Sequence, residues 1–354
     1  MKRLLIISHF LSCNFGDKSQ SYNFLDKVKN NNINIQLCNF SSFDDKKIQD
    51  IVFGKKVYSP STIVEDSNKI DNCILFTGSI GVNSSYHEYC EKIFNKVTNN
   101  IIVIGGFSGD LDKNGLHKIL YLFNNDKLTF YSRTNNELEL YKLLGETVTG
   151  NNIKSKYKYG GDIIINRGLQ YQVLNNKRYK NVFILSDYLI INIKNSTIKN
   201  VYNNFLKVLS ITDRIILIDE YGDKKVVEFL KEINCNIEII KSYDIKIISK
   251  ALIDAKTVIS CRLHGAVLTT ILGIPTYMLP TDNNKNANIY IPEGNKILGS
   301  FKYQSFAKEN LCKIIYYEDL ENFNYDSYVC DYNLISEYIK LCVDTELEII
   351  KTVL

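Results

Sequence analysis

The chain has 354 residues, of which 45% are hydrophobic and 23% charged, and 43 basic against 39 acidic residues leave a net charge of +4. That length exceeds one typical domain and suits two of about 150–200 residues. The near balance of charge, with no sustained basic stripe, excludes a dedicated nucleic-acid binder.

Nine cysteines lie scattered, with no CxxC pair and no Cys/His metal spacing. This usage indicates reduced, buried thiols in a cytoplasmic protein with no bound metal. The start, MKRLLIISHFLS, imitates a leader peptide. Its apolar run covers only residues 4–7, and no small-residue cleavage site follows, so it reads as a first buried strand. No stretch approaches the ~18 apolar residues of a membrane span.

In chain order, strands are expected at 4–8, 33–37, 73–77, 101–104 and 128–132. Helices are expected at 17–29, 84–97, 115–123 and 135–144. This alternation predicts a mostly parallel sheet with helices on both faces. The pattern weakens between about residues 151 and 187, which are polar and rich in Lys, Asn and Tyr, so the junction between domains is placed there. A second series follows, with strands at 189–193, 215–218, 237–240, 257–260 and 276–279. Helices are expected at 199–209, 224–233, 245–255, 265–272 and 334–352. The fold class is therefore α/β, with two doubly wound Rossmann-like domains, residues 1–170 and 171–354, facing a cleft. In such folds ligands bind beyond the carboxyl ends of the strands.

Four turns at such strand ends hold candidate residues. The first, Ser12 to Asp17, pairs Asn14 with Asp17 around Gly16; taken alone it reads as a helix cap. The second, Thr77 to Asn83, has two glycines but not the full dinucleotide fingerprint, so NAD is not expected. His87 in the helix beyond it reads as a surface residue. The third is Ser132-Arg133-Thr134-Asn135. Thr134 and Glu137 suit a capping box, whereas Arg133 brings a cation to the positive end of a helix, a conflict that an anionic ligand would relieve.

The fourth turn lies in VISCRLHGAVLTTILGIPTYML over residues 258–279. A buried strand leads through Arg262-Leu263-His264 into a helix that stops at Gly273. The cation conflict occurs twice within three residues. Arginine can fork onto phosphate or carboxylate, histidine can move a proton, and helix-start amides attract anions. A helix N-terminus lowers a histidine's pKa while a bound phosphate dianion raises it, so a site with both would hold His264 protonated once an anionic substrate arrives. Lys285, in the polar loop after the last central strand, could add a further cation.

Taken together, Asn14-Phe15-Gly16-Asp17, Tyr131-Ser132-Arg133 and Ser260-Cys261-Arg262-Leu263-His264-Gly265, with Leu272-Gly273-Ile274-Pro275 after them, resemble the polysaccharide pyruvyl transferases. The likeness runs over most of the chain. It implies a fold similar to the GT-B glycosyltransferases. It also implies transfer of pyruvate from phosphoenolpyruvate to two hydroxyls of a sugar, oligosaccharide or lipid-linked glycan, giving a cyclic ketal and phosphate. By the same resemblance Arg133 and Arg262 would hold the donor's phosphate and carboxylate, His264 would be the general acid/base, and Asn14 and Asp17 would orient the acceptor. No cofactor or metal is called for. Two alternatives stand beside it: a nucleotide-sugar glycosyltransferase of the same fold, with Glu293 as the candidate ribose ligand, and a non-catalytic glycan-binding relative.

Overall fold

In the computed structural model the described residues are 1–10, 15–40, 51–52, 54–81, 86–108, 113–163, 178–218, 220–281, 306–325 and 328–354. Among them the chain builds two sheets. The first contains β1 (Arg3–Ser8), β2 (Asn34–Asn39), β3 (Ile51–Val52), β4 (Lys55–Tyr58), β5 (Ile70–Gly81), β6 (Val97–Ser108), β7 (Leu128–Ser132) and β8 (Lys156–Tyr159), in the order β3-β4-β2-β1-β5-β6-β7-β8. Every pairing is parallel except β3 with β4. Its crossover helices are α1 (Phe15–Val28), α2 (Pro60–Glu65), α3 (Tyr86–Phe94), α4 (Lys113–Phe123) and α5 (Asn135–Thr149).

The second sheet contains β9 (Lys180–Ile184), β10 (Arg214–Leu217), β11 (Glu238–Lys241), β12 (Ala255–Ser260), β13 (Thr276–Met278) and β14 (Lys313–Ile314), all parallel, in the order β11-β10-β9-β12-β13-β14. With it go α6 (Asp187–Lys194), α7 (Val201–Ser210), α8 (Glu220–Glu232), α9 (Ile245–Ala251), α10 (Leu263–Ile271) and the terminal helix α11 (Tyr332–Val353).

Both sheets are covered on both faces, which is why their strands read as near-continuous apolar runs. In β1, Leu5 and Ile7 join one core layer while Leu4 and Ile6 join the opposite one. In β9, Val182 and Ile184 face one layer and Phe183 the other, joined there by Leu185 just past the strand.

The run 189–193, expected as a strand, is helical. Leu189, Ile190 and Ile193 are buried while Tyr188 and Ile191 are exposed, a 3.6-residue stripe that a short apolar run conceals. The strand itself comes earlier, at β9, inside the segment read as a polar junction. Helix α10 stops where expected: Gly273 has φ +64, a left-handed conformation that closes helices and favours glycine.

Helix α11 joins the two bodies. Tyr338 and Cys342 pack in a core of the second sheet, and Ile349 and Val353 in a core of the first. Asn72 Nδ2 donates to the Val353 carbonyl at 3.1 Å, and the buried Glu346 accepts from Asn23 of α1 at 2.8 Å and pairs with Lys27. No helix among the described residues is long and apolar enough to cross a membrane.

The buried thiols make the fold sensitive to alkali. Burial pushes Cys90 up to about 12, and Cys261 and Cys330 up to about 11. Unfolded thiols ionise from about pH 8.5. Between that pH and the folded values the unfolded chain therefore binds fewer protons than the native one, and stability falls as pH rises. Each such thiol is expected to remove up to about 1.4 kcal/mol per pH unit over that window. Urea unfolding under reducing conditions at pH 7.5 and pH 10.5 measures this; equal midpoints would contradict it.

Candidate active site

The turn from β12 into α10 is closed by Ser260. Its Oγ accepts from the Arg262 amide at 3.2 Å and donates to the Arg262 carbonyl at 2.7 Å. Arg262 is the helix N-cap in extended conformation (φ −118, ψ 128), and its side chain does not cap. Nothing larger than hydrogen fits at residue 265: a Cβ there would stand 2.7 Å from Ser260 Oγ and 3.0 Å from Ile184. The Arg262 guanidinium lies 5.9 Å from the ring centre of Tyr188, a residue exposed at the start of α6. Cation and aromatic ring thus form one rim at the carboxyl edge of the second sheet.

His264 sits in the first turn of α10, with its side chain 12% exposed. Its Nε2 lies 3.6 Å from Oδ2 of Asp162, which is fully buried, and 3.4 Å from Nε2 of Gln20 on α1. The Gln20 amide donates to Asp162 Oδ1 at 3.1 Å.

Asp162 is set in place by two glycines after β8. The amides of Gly160 and Gly161 both donate to the Ser132 carbonyl, at 2.9 and 3.1 Å. Gly161 has φ +71, and a Cβ on it would stand 2.4 Å from Cys342 Sγ, so only glycine passes α11 here. The Asp162 amide then donates to Tyr338 Oη at 3.0 Å, and that hydroxyl donates to the Arg133 carbonyl at 2.9 Å. Burial drives the Tyr338 phenol well above its ordinary range, so it serves as a neutral hydroxyl.

Arg133 is buried, and its conflict with the helix end is answered within the chain. Its guanidinium pairs with Glu137, whose Oε2 also accepts from Arg133 Nε at 3.2 Å and from the Arg133 amide at 3.0 Å. Thr134 Oγ1 caps the Glu137 amide at 3.1 Å, one half of the expected box, while the Glu137 carboxylate takes the Arg133 amide in place of the Thr134 amide. Burial opposes the Arg133 charge; Glu137, and after it Asp162, hold it on and leave its pKa above the ordinary arginine value. Nη1 of Arg133 is buried with no hydrogen-bond partner among the described residues.

The structure therefore gathers Arg133 and His264 around one carboxylate, with Arg262 on the adjoining turn. Asp17 lies in the first turn of α1, and its side chain is outside the described residues, as are Asn14, Lys285 and Glu293. Gln20 and Asp162 were missed by sequence reasoning. Gln20 follows Asp17 by three residues in the sequence, a helical spacing that was available as a signal. Asp162 carried only the weak signal of a carboxylate after a glycine pair. His87 is not the surface residue expected: it is buried, with Nδ1 3.2 Å from Tyr121 Oη. Among the described residues no three His, Cys, Asp or Glu side chains converge as metal ligands. A fixed cation, a histidine at a helix start and a buried carboxylate behind it can bind an anion and move a proton beside it.

The sequence matches no protein-family model and no curated protein. Solved structures do resemble the chain. UDP-GlcNAc 2-epimerase from Neisseria meningitidis bound to UDP-GlcNAc aligns with TM-score 0.51 at 11% identity, over 99% of this chain and 99% of that one. The Methanocaldococcus jannaschii UDP-GlcNAc 2-epimerase in complex with UDP-GlcNAc and UDP aligns with TM-score 0.52 at 11% identity, over 97% of this chain and 100% of that one. At such identity the likeness is one of fold, and the chain has the two-domain, Rossmann-like α/β architecture of the GT-B type.

Proposed function

We propose that the chain is a glycan-modifying transferase that moves pyruvate from phosphoenolpyruvate onto two hydroxyls of a sugar or glycan precursor, forming a cyclic ketal and releasing phosphate. The observation that carries this reading is the β12–α10 turn, where Arg262 and His264 stand together at a helix N-terminus on the carboxyl edge of a parallel sheet. Arg262 suits the donor's phosphate or carboxylate, and the helix-start amides reinforce the same charge preference. The buried Arg133, with its Nη1 lacking a partner, supports a second anion contact.

In the reaction His264 as imidazolium gives its proton to the methylene carbon of the enol. The neighbouring carbon becomes cationic and is attacked by one sugar hydroxyl, whose proton returns to His264. The carbon–oxygen bond to phosphate then breaks, the second hydroxyl adds, and its proton leaves with the phosphate. Two hydroxyl protons are consumed, one in the new methyl group and one on phosphate. A positioned histidine typically supplies 10²–10⁴ in rate for such transfers, and the arginines hold the donor in register and stabilise departing phosphate.

Thermal unfolding with and without phosphoenolpyruvate, beside a panel of nucleotide sugars, tests the reading. At 100 times its dissociation constant a ligand adds about 2.7 kcal/mol of stability. Phosphoenolpyruvate is expected to raise the unfolding temperature of the wild type and not of Arg262→Ala. A shift with a uridine or guanosine diphosphate sugar and none with phosphoenolpyruvate would transfer the chain to the nucleotide-sugar enzymes of this fold. No shift with either would favour a non-catalytic relative.

A further inference from the structure

A carboxylate taken fully out of water costs several kcal/mol unless its surroundings repay it. Asp162 is such a group. One oxygen accepts from Gln20, a neutral partner that would serve an asparagine equally well. The other faces Nε2 of His264 at 3.6 Å. That is longer than a tight hydrogen bond but within ion-pair reach, and catalytic contacts commonly tighten only when substrate binds. The negative charge has two uses that shape alone does not explain: it helps keep the buried Arg133 ionised, and it faces the ring of His264.

We infer that Asp162 is the positioning residue of His264, with Gln20 as its orienter, an assignment that rests on the reading of His264 as the proton-transfer group. The carboxylate holds the Nε2–H of His264 and stabilises the imidazolium, so Nδ1 is the atom that exchanges protons with substrate. The Gln20 amide acts in the opposite sense. Its Nε2 stands 3.4 Å from the same ring nitrogen and can donate only to an unprotonated one. Nε2 therefore lies between an acceptor that favours the charged ring and a donor that favours the neutral one. The arrangement resembles the logic of a carboxylate behind a catalytic histidine in hydrolases, where the carboxylate fixes the tautomer.

The pair is assembled from two bodies. Gln20 and Asp162 come with the first sheet, His264 with the second, and Tyr338 of α11 ties the Asp162 and Arg133 backbones together. Other charged and titratable groups around the pair are Arg262 on its own turn, Arg133 with Glu137 behind Asp162, Tyr338 and Cys342 on α11, and Glu346 with Lys27 further along.

The test is NMR of the histidine ring nitrogens in the full chain; there are four histidines, and His264→Gln assigns the signal. In the wild type the neutral ring is expected as the Nε2–H tautomer, a reading that needs no variant to fold. Asp162→Asn should lower the His264 pKa by about 1–3 units, whereas Gln20→Leu should raise it. Kinetically, Asp162→Asn should lower kcat at least ~10²-fold and move its pH profile, with KM for phosphoenolpyruvate little changed. An Nδ1–H tautomer in the wild type, or an unchanged His264 titration in folded Asp162→Asn, overturns the assignment even if pyruvyl transfer is observed. The expected tautomer and shifts in a chain that releases no phosphate from phosphoenolpyruvate with any acceptor would uphold the pair and overturn the pyruvyl reading alone.

Discussion

Replacing His264 with alanine is expected to slow phosphate release from phosphoenolpyruvate, in the presence of acceptor, by about 10²–10⁴-fold. The protein should stay folded. The imidazole is partly exposed at the start of α10, and the helix keeps its Ser260 turn and its buried apolar face. Arg262→Ala should behave differently. It removes charge-assisted contacts worth about 1.5–3 kcal/mol each, so its effect should fall first on KM for the donor. The contrast separates a proton carrier from an anion holder on the same turn. Steady-state kinetics, with circular dichroism to confirm folding, reads both. Near-normal turnover in folded His264→Ala would remove the histidine from the chemistry.

How much of this was legible beforehand follows from what each signal depends on. The strands at 73–77 and 101–104 were readable because both faces of a parallel sheet are buried, leaving long apolar β-branched runs in β5 and β6. The β12–α10–β13 unit was readable because its stops are local: a serine turn, Gly273 in a left-handed conformation and Pro275 immediately before β13. Residues 189–193 were misread because five apolar-rich positions cannot distinguish strand from helix without their partners. The strand at β9 was hidden because its first residues, Lys180 and Asn181, are polar and only half-buried. Asp162 was illegible for a deeper reason. Gln20 lies 142 residues from it in the chain and reaches it only through the folding of the first sheet, and His264, 244 residues from Gln20, meets the pair only where the two sheets dock. Arg133 shows the reverse: the conflict with its helix end was correctly located, but Glu137, one turn ahead, resolves most of it without a ligand.

That resolution sets the second large effect. Glu137→Ala should destabilise the fold by about 3–5 kcal/mol, because it strands a guanidinium that is only 2% exposed and strips the Arg133 amide of its acceptor. Urea unfolding at pH 7.5 measures this. Changing both partners, Arg133→Met with Glu137→Leu, should recover most of the loss, since two well-packed apolar chains need no counter-charge. The same variants decide what Arg133 does. If its buried Nη1 is held for a substrate anion, phosphoenolpyruvate supplies the charge that Glu137 no longer provides, and it should stabilise Glu137→Ala by more than it stabilises the wild type. Equal stabilisation of the two would confine Arg133 to holding the β7–α5 turn, leaving Arg262 as the cation that meets the donor.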